Sequence, residues 1–72
     1  MKKTYKINEL DCAHCAAKME EKIKALNGVV SVNVNFIAQK LTIEAADDIF
    51  EEVVKKAALI CKEVEPDCTV EF

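Results

Sequence analysis

Glycine and proline are almost missing from this chain: its 72 residues include one of each, Gly28 and Pro66. With 51% apolar residues, the composition is that of a compact globular chain and not a disordered one. No linker, internal repeat or low-complexity stretch divides it, so residues 1–72 are expected to form one domain. Long apolar runs are missing too. None approaches the roughly 20 residues that span a bilayer, which excludes membrane insertion of this segment. Met1-Lys2-Lys3-Thr4 leads straight into an alternating pattern. It lacks the apolar core of a signal peptide, and the cytosol is the expected compartment. Basic charge is not concentrated anywhere, and the net charge is −3. Nucleic-acid binding wants a basic face and is set aside. Direct contact with an anionic membrane is set aside for the same reason.

What the chain does have is cysteine: Cys12, Cys15, Cys61 and Cys68. In a secreted mini-protein these would suggest two disulfides. Nothing here points to secretion, and cytosolic thiols stay reduced. A Cys-x-x-Cys pair in that setting is read first as a metal or redox site. A chain this short buries only about 60% of the surface it exposes when unfolded. Its core is thin, so a bound ion would add noticeably to stability.

Residues 4–10 alternate, with Tyr5 and Ile7 apolar, and read as a half-buried strand ended by Asp11. Ala16, Met19, Ile23 and Leu26 then recur at helical spacing between charged residues, predicting an amphipathic helix from about 13 to 26. Asn27-Gly28 stops it. Val30, Val32, Val34 and Phe36 alternate with polar residues, as do Leu41 and Ile43. The two strands make a hairpin around Ile37-Ala38-Gln39. Asp47-Asp48 places acids at a helix start. Ile49, Val53, Ala57, Ile60 and Val64 form its stripe, widened by Phe50, Val54 and Cys61, over about 47 to 64. Pro66 ends that helix. Cys68, Val70 and Phe72 alternate as a last strand. The order β-α-β-β-α-β predicts an α+β, ferredoxin-like sandwich, a four-stranded antiparallel sheet with two helices on one face.

Asp11-Cys12-Ala13-His14-Cys15 falls where the first strand meets the first helix. Cys12 lies at the helix cap and Cys15 one turn on, so both sulfurs can converge beside the free N–H groups of the first turn. The positive end of the helix favours the thiolate, the form that binds metal. Thiolates select soft or borderline ions: Cu(I), Zn, Cd, Hg and Pb. Asp11 discriminates among them. Two thiolates already leave Cu(I) net negative, and a carboxylate adds charge and a hard ligand. A divalent ion accommodates both, and its ligand set stays within the zinc repertoire of Cys, His and carboxylate. The expected metal ligands are therefore Asp11, Cys12 and Cys15, with Zn(II), Cd(II) or Pb(II) as the ion and Cu(I) as the alternative. A dithiol oxidoreductase is the rival reading, since His14 would assist thiolate formation. A thioredoxin-type framework, however, needs a longer chain and another strand order. His14 points about 100° away from its neighbours on the helix and reads as a solvated residue.

The chain resembles the heavy-metal-associated domain family over essentially its whole length. The resemblance is carried by Leu-Asp-Cys-Ala-His-Cys-Ala at 10–16, Leu-Asn-Gly-Val at 26–29 and Val-Asn-Phe-Ile-Ala-Gln-Lys-Leu at 34–41. It implies a βαββαβ fold with the Cys-x-x-Cys at the first strand–helix junction. Copper and mercury members of the family show Met-x-Cys-x-x-Cys. Zinc, cadmium and lead exporters often carry Asp before the first Cys, as Leu10-Asp11 does here. Two positions depart from the pattern: Glu9 replaces a common Gly, and the Gly-Tyr or Gly-Lys near the end of the second helix is replaced by Ala58-Leu59-Ile60-Cys61. The resemblance implies the N-terminal domain of a metal-exporting P-type ATPase. Such a domain is a non-catalytic monomer whose partners are the metal ion and the transmembrane part or other cytosolic domains of the transporter. A free-standing metallochaperone, including a Cu(I) carrier, is the alternative. This fold brings Cys61, Glu65, Asp67 and Cys68 toward the metal loop. Cys61 and Cys68 are read first as packing residues, with a third-ligand role, most fitting for Cd(II), as the alternative. Glu65 and Asp67 are expected to be solvated loop acids.

Overall fold

In a computed structural model that describes all 72 residues, the alternating segments form strands and the helical stripes form helices. The elements are β1 (Lys2–Asn8), α1 (Ala13–Lys24), β2 (Val29–Asn35), β3 (Lys40–Ala45), α2 (Phe50–Val64) and β4 (Thr69–Glu71). The strands make one antiparallel sheet in the order β2-β3-β1-β4. This is the ferredoxin-like arrangement that the element order predicts. No helix is long and apolar enough to cross a membrane.

One core joins the sheet to both helices. Ile7, Val32, Val34, Leu41 and Ile43 enter it from the strands. Ala16, Met19 and Ile23 come from α1, and Phe50, Val53, Ala57 and Cys61 from α2. Met19 and Ile23 are completely buried, and each such side chain contributes about 1.5–3 kcal/mol. The opposite face of the sheet is polar. Thr4 and Thr42 share a hydroxyl hydrogen bond of 3.0 Å across β1 and β3, and Ser31 donates to Glu44 at 3.2 Å.

Several boundaries differ from the sequence reading. The first strand covers Lys2–Asn8 rather than 4–10, because Glu9 takes a left-handed backbone (φ 62°) that breaks the extended run. Leu10 is buried beyond the end of the strand. The first helix stops at Lys24, two residues early, and turns through Leu26 to Gly28. At Gly28 φ is 90°, a backbone that other residues rarely adopt, and a Cβ there would force the end of the Ile49 side chain to move. Val30 was expected to point inward but is exposed, because the pairing with β3 slips between Val29 and Ser31. A bulge of that kind shifts the alternation by one residue. Asp47–Ile49 form a single 3-10 turn ahead of α2. Phe72 lies at the edge, half-exposed, with its ring 4.9 Å from that of Tyr5.

Candidate metal centre

The β1–α1 junction sets the two cysteines. Cys12 is extended (φ −127°, ψ 111°) and caps α1, and its sulfur accepts the Cys15 N–H at 3.3 Å. Its carbonyl accepts the Ala16 N–H at 3.1 Å, starting the helix ladder. Cys12 therefore takes the place that Ser or Asp fills in most caps. No acidic residue occupies the first turn of α1, so the positive end of the helix is left to the sulfurs. Both cysteines are free thiols and half-buried.

The two thiols differ. Interaction with the Cys15 side chain holds the Cys12 thiol below its ordinary range, and the Cys15 and His14 backbone N–H groups add to this. The same interaction pushes Cys15 up to about 11, helped by burial and by the charges of Cys12 and Glu65. One thiol is thus prepared to ionise and the other to keep its proton until something replaces it.

Glu65 lies near the metal loop, as the fold implies, but less solvated than the sequence suggests. It was expected in solvent. It is half-buried at the end of α2, and the Cys15 thiol donates to its Oε2 at 3.8 Å. Its other oxygen accepts the Asp67 N–H at 3.3 Å, which orients the carboxylate. A weak signal was available. Glu65 stands at the negative end of a helix, where a carboxylate is unfavourable unless something nearby uses it.

The other candidates are placed as follows. Asp11 is exposed, directly before Cys12. No three Cys, His, Asp or Glu side chains converge closely enough to hold an ion as the structure stands. Asp11 and Glu65 thus flank the thiol pair rather than complete a preformed cage. His14 is exposed, as expected. Cys61 and Cys68 are buried. They line a shallow groove with Ala58, Val70 and Phe72, and neither Cys12 nor Cys15 lines it. Burial pushes the Cys61 thiol up to about 11, with the Cys68 charge adding. Burial first, then Glu65 and Asp11, also raises Cys68. Such thiols pack as small apolar groups.

The donor set is one of thiols and carboxylates, chemistry that can hold a soft or borderline metal ion. Two sulfurs stand one helical turn apart, a carboxylate already touches one of them, and a second carboxylate precedes the other.

Residues 4–62 match the model of a family described as the heavy-metal-associated domain. A cadmium, zinc and cobalt-transporting ATPase of Bacillus subtilis (strain 168) is 34% identical over 70 residues, covering 97% of this chain and 10% of that protein. A zinc/cadmium/lead-transporting P-type ATPase of Shigella sonnei (strain Ss046) is 40% identical over 57 residues, 75% of this chain and 8% of that protein. The chain thus spans about a tenth or less of these relatives. The solution structure of the N-terminal domain of a potential copper-translocating P-type ATPase from Bacillus subtilis, in its Cu(I)-loaded state, superposes with a TM-score of 0.78. It is 22% identical and covers 99% of this chain and 84% of that one. At that identity the likeness is one of fold.

Proposed function

The chain belongs to the heavy-metal-associated domain family, and on that premise we propose that it captures one divalent soft ion, Zn(II), Cd(II) or Pb(II), and passes it on by stepwise ligand exchange. Cys12 and Cys15 supply the sulfurs. A carboxylate supplies the harder ligand and the extra negative charge that M(II) accepts and Cu(I) does not need. The observation that carries this reading is the Cys15–Glu65 contact of 3.8 Å, which puts an oxygen at a sulfur pair already poised on a helix N-terminus. Asp11 is the second oxygen, brought in by a small movement of the exposed loop. Cys12 ionises first and meets the ion. Cys15 releases its proton as its sulfur binds. Because both sulfurs are only half-buried, an incoming ligand can reach the ion and take it away one bond at a time. The domain catalyses nothing itself.

Residues 1–72 act as one such domain, cytoplasmic and monomeric, whose partner is the rest of a metal-exporting P-type ATPase. Support for the transporter context comes from the cadmium- and zinc-transporting ATPases that match most of the chain. It is tested by the coding sequence beyond Phe72, where transmembrane segments and an Asp-Lys-Thr-Gly phosphorylation motif are expected. The site is tested by titrating the reduced chain with Zn(II) and recording X-ray absorption. One ion per chain with two sulfur neighbours and at least one oxygen is expected. A first shell without oxygen or nitrogen would remove the carboxylate role and with it the preference for M(II).

A further inference from the structure

The metal loop is held from a direction that the cysteines do not suggest. Between the end of β1 at Asn8 and the start of α1 at Ala13, the chain is neither strand nor helix. Glu9 there is left-handed, a strained state for a residue other than glycine. One side chain from the β2–β3 turn ties this segment down. Gln39 is itself left-handed (φ 56°), and its carbonyl accepts the Ile7 N–H at 2.8 Å, so its backbone is fixed against β1. Its amide then takes both backbone polar groups of Leu10. Oε1 accepts the Leu10 N–H at 2.9 Å, and Nε2 donates to the Leu10 carbonyl at 2.5 Å. Nε2 also donates to the Phe36 carbonyl at 2.8 Å, closing the turn that carries it. A glutamine amide has two N–H donors and one oxygen, and all are engaged. Below this clamp the Leu10 side chain is buried in the core. Leu10 is therefore held from both sides, one residue before Asp11 and two before Cys12.

We propose that Gln39 is the positioning residue of the metal loop: by holding Leu10 it fixes where Asp11 and Cys12 stand and so sets how slowly a bound divalent ion is released. The inference rests on the metal-binding reading above. Gln39 touches no ion. It removes freedom from the loop that otherwise would be lost on binding, which is how preorganisation slows dissociation. The turn lies in the same part of the chain as the fully exposed Ile37, so the clamp also links that tip to the metal loop.

Gln39→Gly removes the clamp and suits the left-handed backbone, so the turn itself is not strained by it. Gln39→Glu keeps an acceptor for the Leu10 N–H but sets a carboxylate against two carbonyls. Asn35→Ala loosens the same turn by removing the bond from the Ala38 N–H to Asn35 Oδ1 (2.9 Å) without touching Leu10. Each chain is loaded with Cd(II). Loss of the ion to excess chelator is followed by the Cd–thiolate absorption, and the 113Cd resonance is recorded. Release from Gln39→Gly and Gln39→Glu should be at least about fivefold faster than from the unaltered chain, the net worth of one of the hydrogen bonds lost. Their 113Cd lines should broaden as the loop samples more than one arrangement. Asn35→Ala should lower thermal stability and leave release and line width unchanged. If the unaltered chain binds no Cd(II), the metal reading and this inference both fall. If it binds and Gln39→Gly releases the ion at the unaltered rate, or Asn35→Ala accelerates release equally, the role of Gln39 alone is overturned.

Discussion

In the proposed metal site, Asp11 and Glu65 would both offer oxygen to an ion held by Cys12 and Cys15, from different parts of the chain. Asp11 precedes Cys12 directly and is exposed; Glu65 comes from the end of α2 and already touches Cys15. Asp11→Asn keeps the shape and removes the charge. It should lower Zn(II) affinity by about tenfold or more and shift preference toward Cu(I). Glu65→Gln should act in the same direction, and the double variant should lose more than either alone. Competition titrations of Zn(II) against Cu(I) measure this. An unchanged ratio in Asp11→Asn would leave Asp11 as a loop residue without a ligand role. The placement of Cys12, Cys15 and Asp11 at the strand–helix junction was legible from their spacing. The contact of Glu65 with Cys15 was not. An acid four residues past Cys61 looks like any helix-end acid until the fold brings it beside Cys15, 50 positions away.

At the scale of elements, period and breaker residues located all four strands and both helices, and errors fell where the backbone departs from its regular period. The slip between Val29 and Ser31 turned Val30 outward. Alternation cannot reveal such a slip, because the shift comes from pairing with β3. Glu9 is the other case. Its left-handed φ of 62° ends β1 two residues before the cysteine loop begins at Asp11. A glycine is common at this position in the family that the sequence resembles, and the structure gives the reason. Relieving a left-handed residue gains about 1–2 kcal/mol, while a glycine loosens the unfolded chain by about 0.4–1 kcal/mol. Glu9→Gly should therefore stabilise the metal-free domain by about 0.5–1 kcal/mol, seen as a higher urea midpoint at unchanged slope. A lower midpoint would mean that the Glu9 side chain contributes something the strain argument omits.

Across the whole molecule, Cys61 and Cys68 are buried in the core, while Cys12 and Cys15 are half-exposed. The difference is one of burial, and pH makes it measurable. Burial raises the Cys61 thiol from an ordinary 9.0 to about 11 and raises Cys68 in the same direction. Below pH 9 these thiols are protonated in both folded and unfolded chains, and their contribution to stability is complete. Between about 9 and 11 the unfolded chain ionises Cys61 and the folded chain does not, so stability falls as pH rises. The loss is at most about 2–3 kcal/mol for Cys61 and is finished once the folded thiol titrates. The quantity to read is the difference between the unaltered chain and Cys61→Ala. That variant removes one sulfur from the core and should cost about 1 kcal/mol near pH 7. Its disadvantage should shrink and then reverse above pH 10. The same variant, with Cys68→Ala, tests whether the core cysteines also serve the metal. Cd(II) gains more than Zn(II) from an extra thiolate, and Cd–thiolate absorption grows with the number of sulfurs. With Cys61 and Cys68 buried in the core and neither sharing its groove with Cys12 or Cys15, the Cd(II) band should keep its full intensity in both variants. A fall of about a third in either would mean that the core opens to supply a third thiolate, and the site would then be adapted to cadmium at the cost of a buried residue.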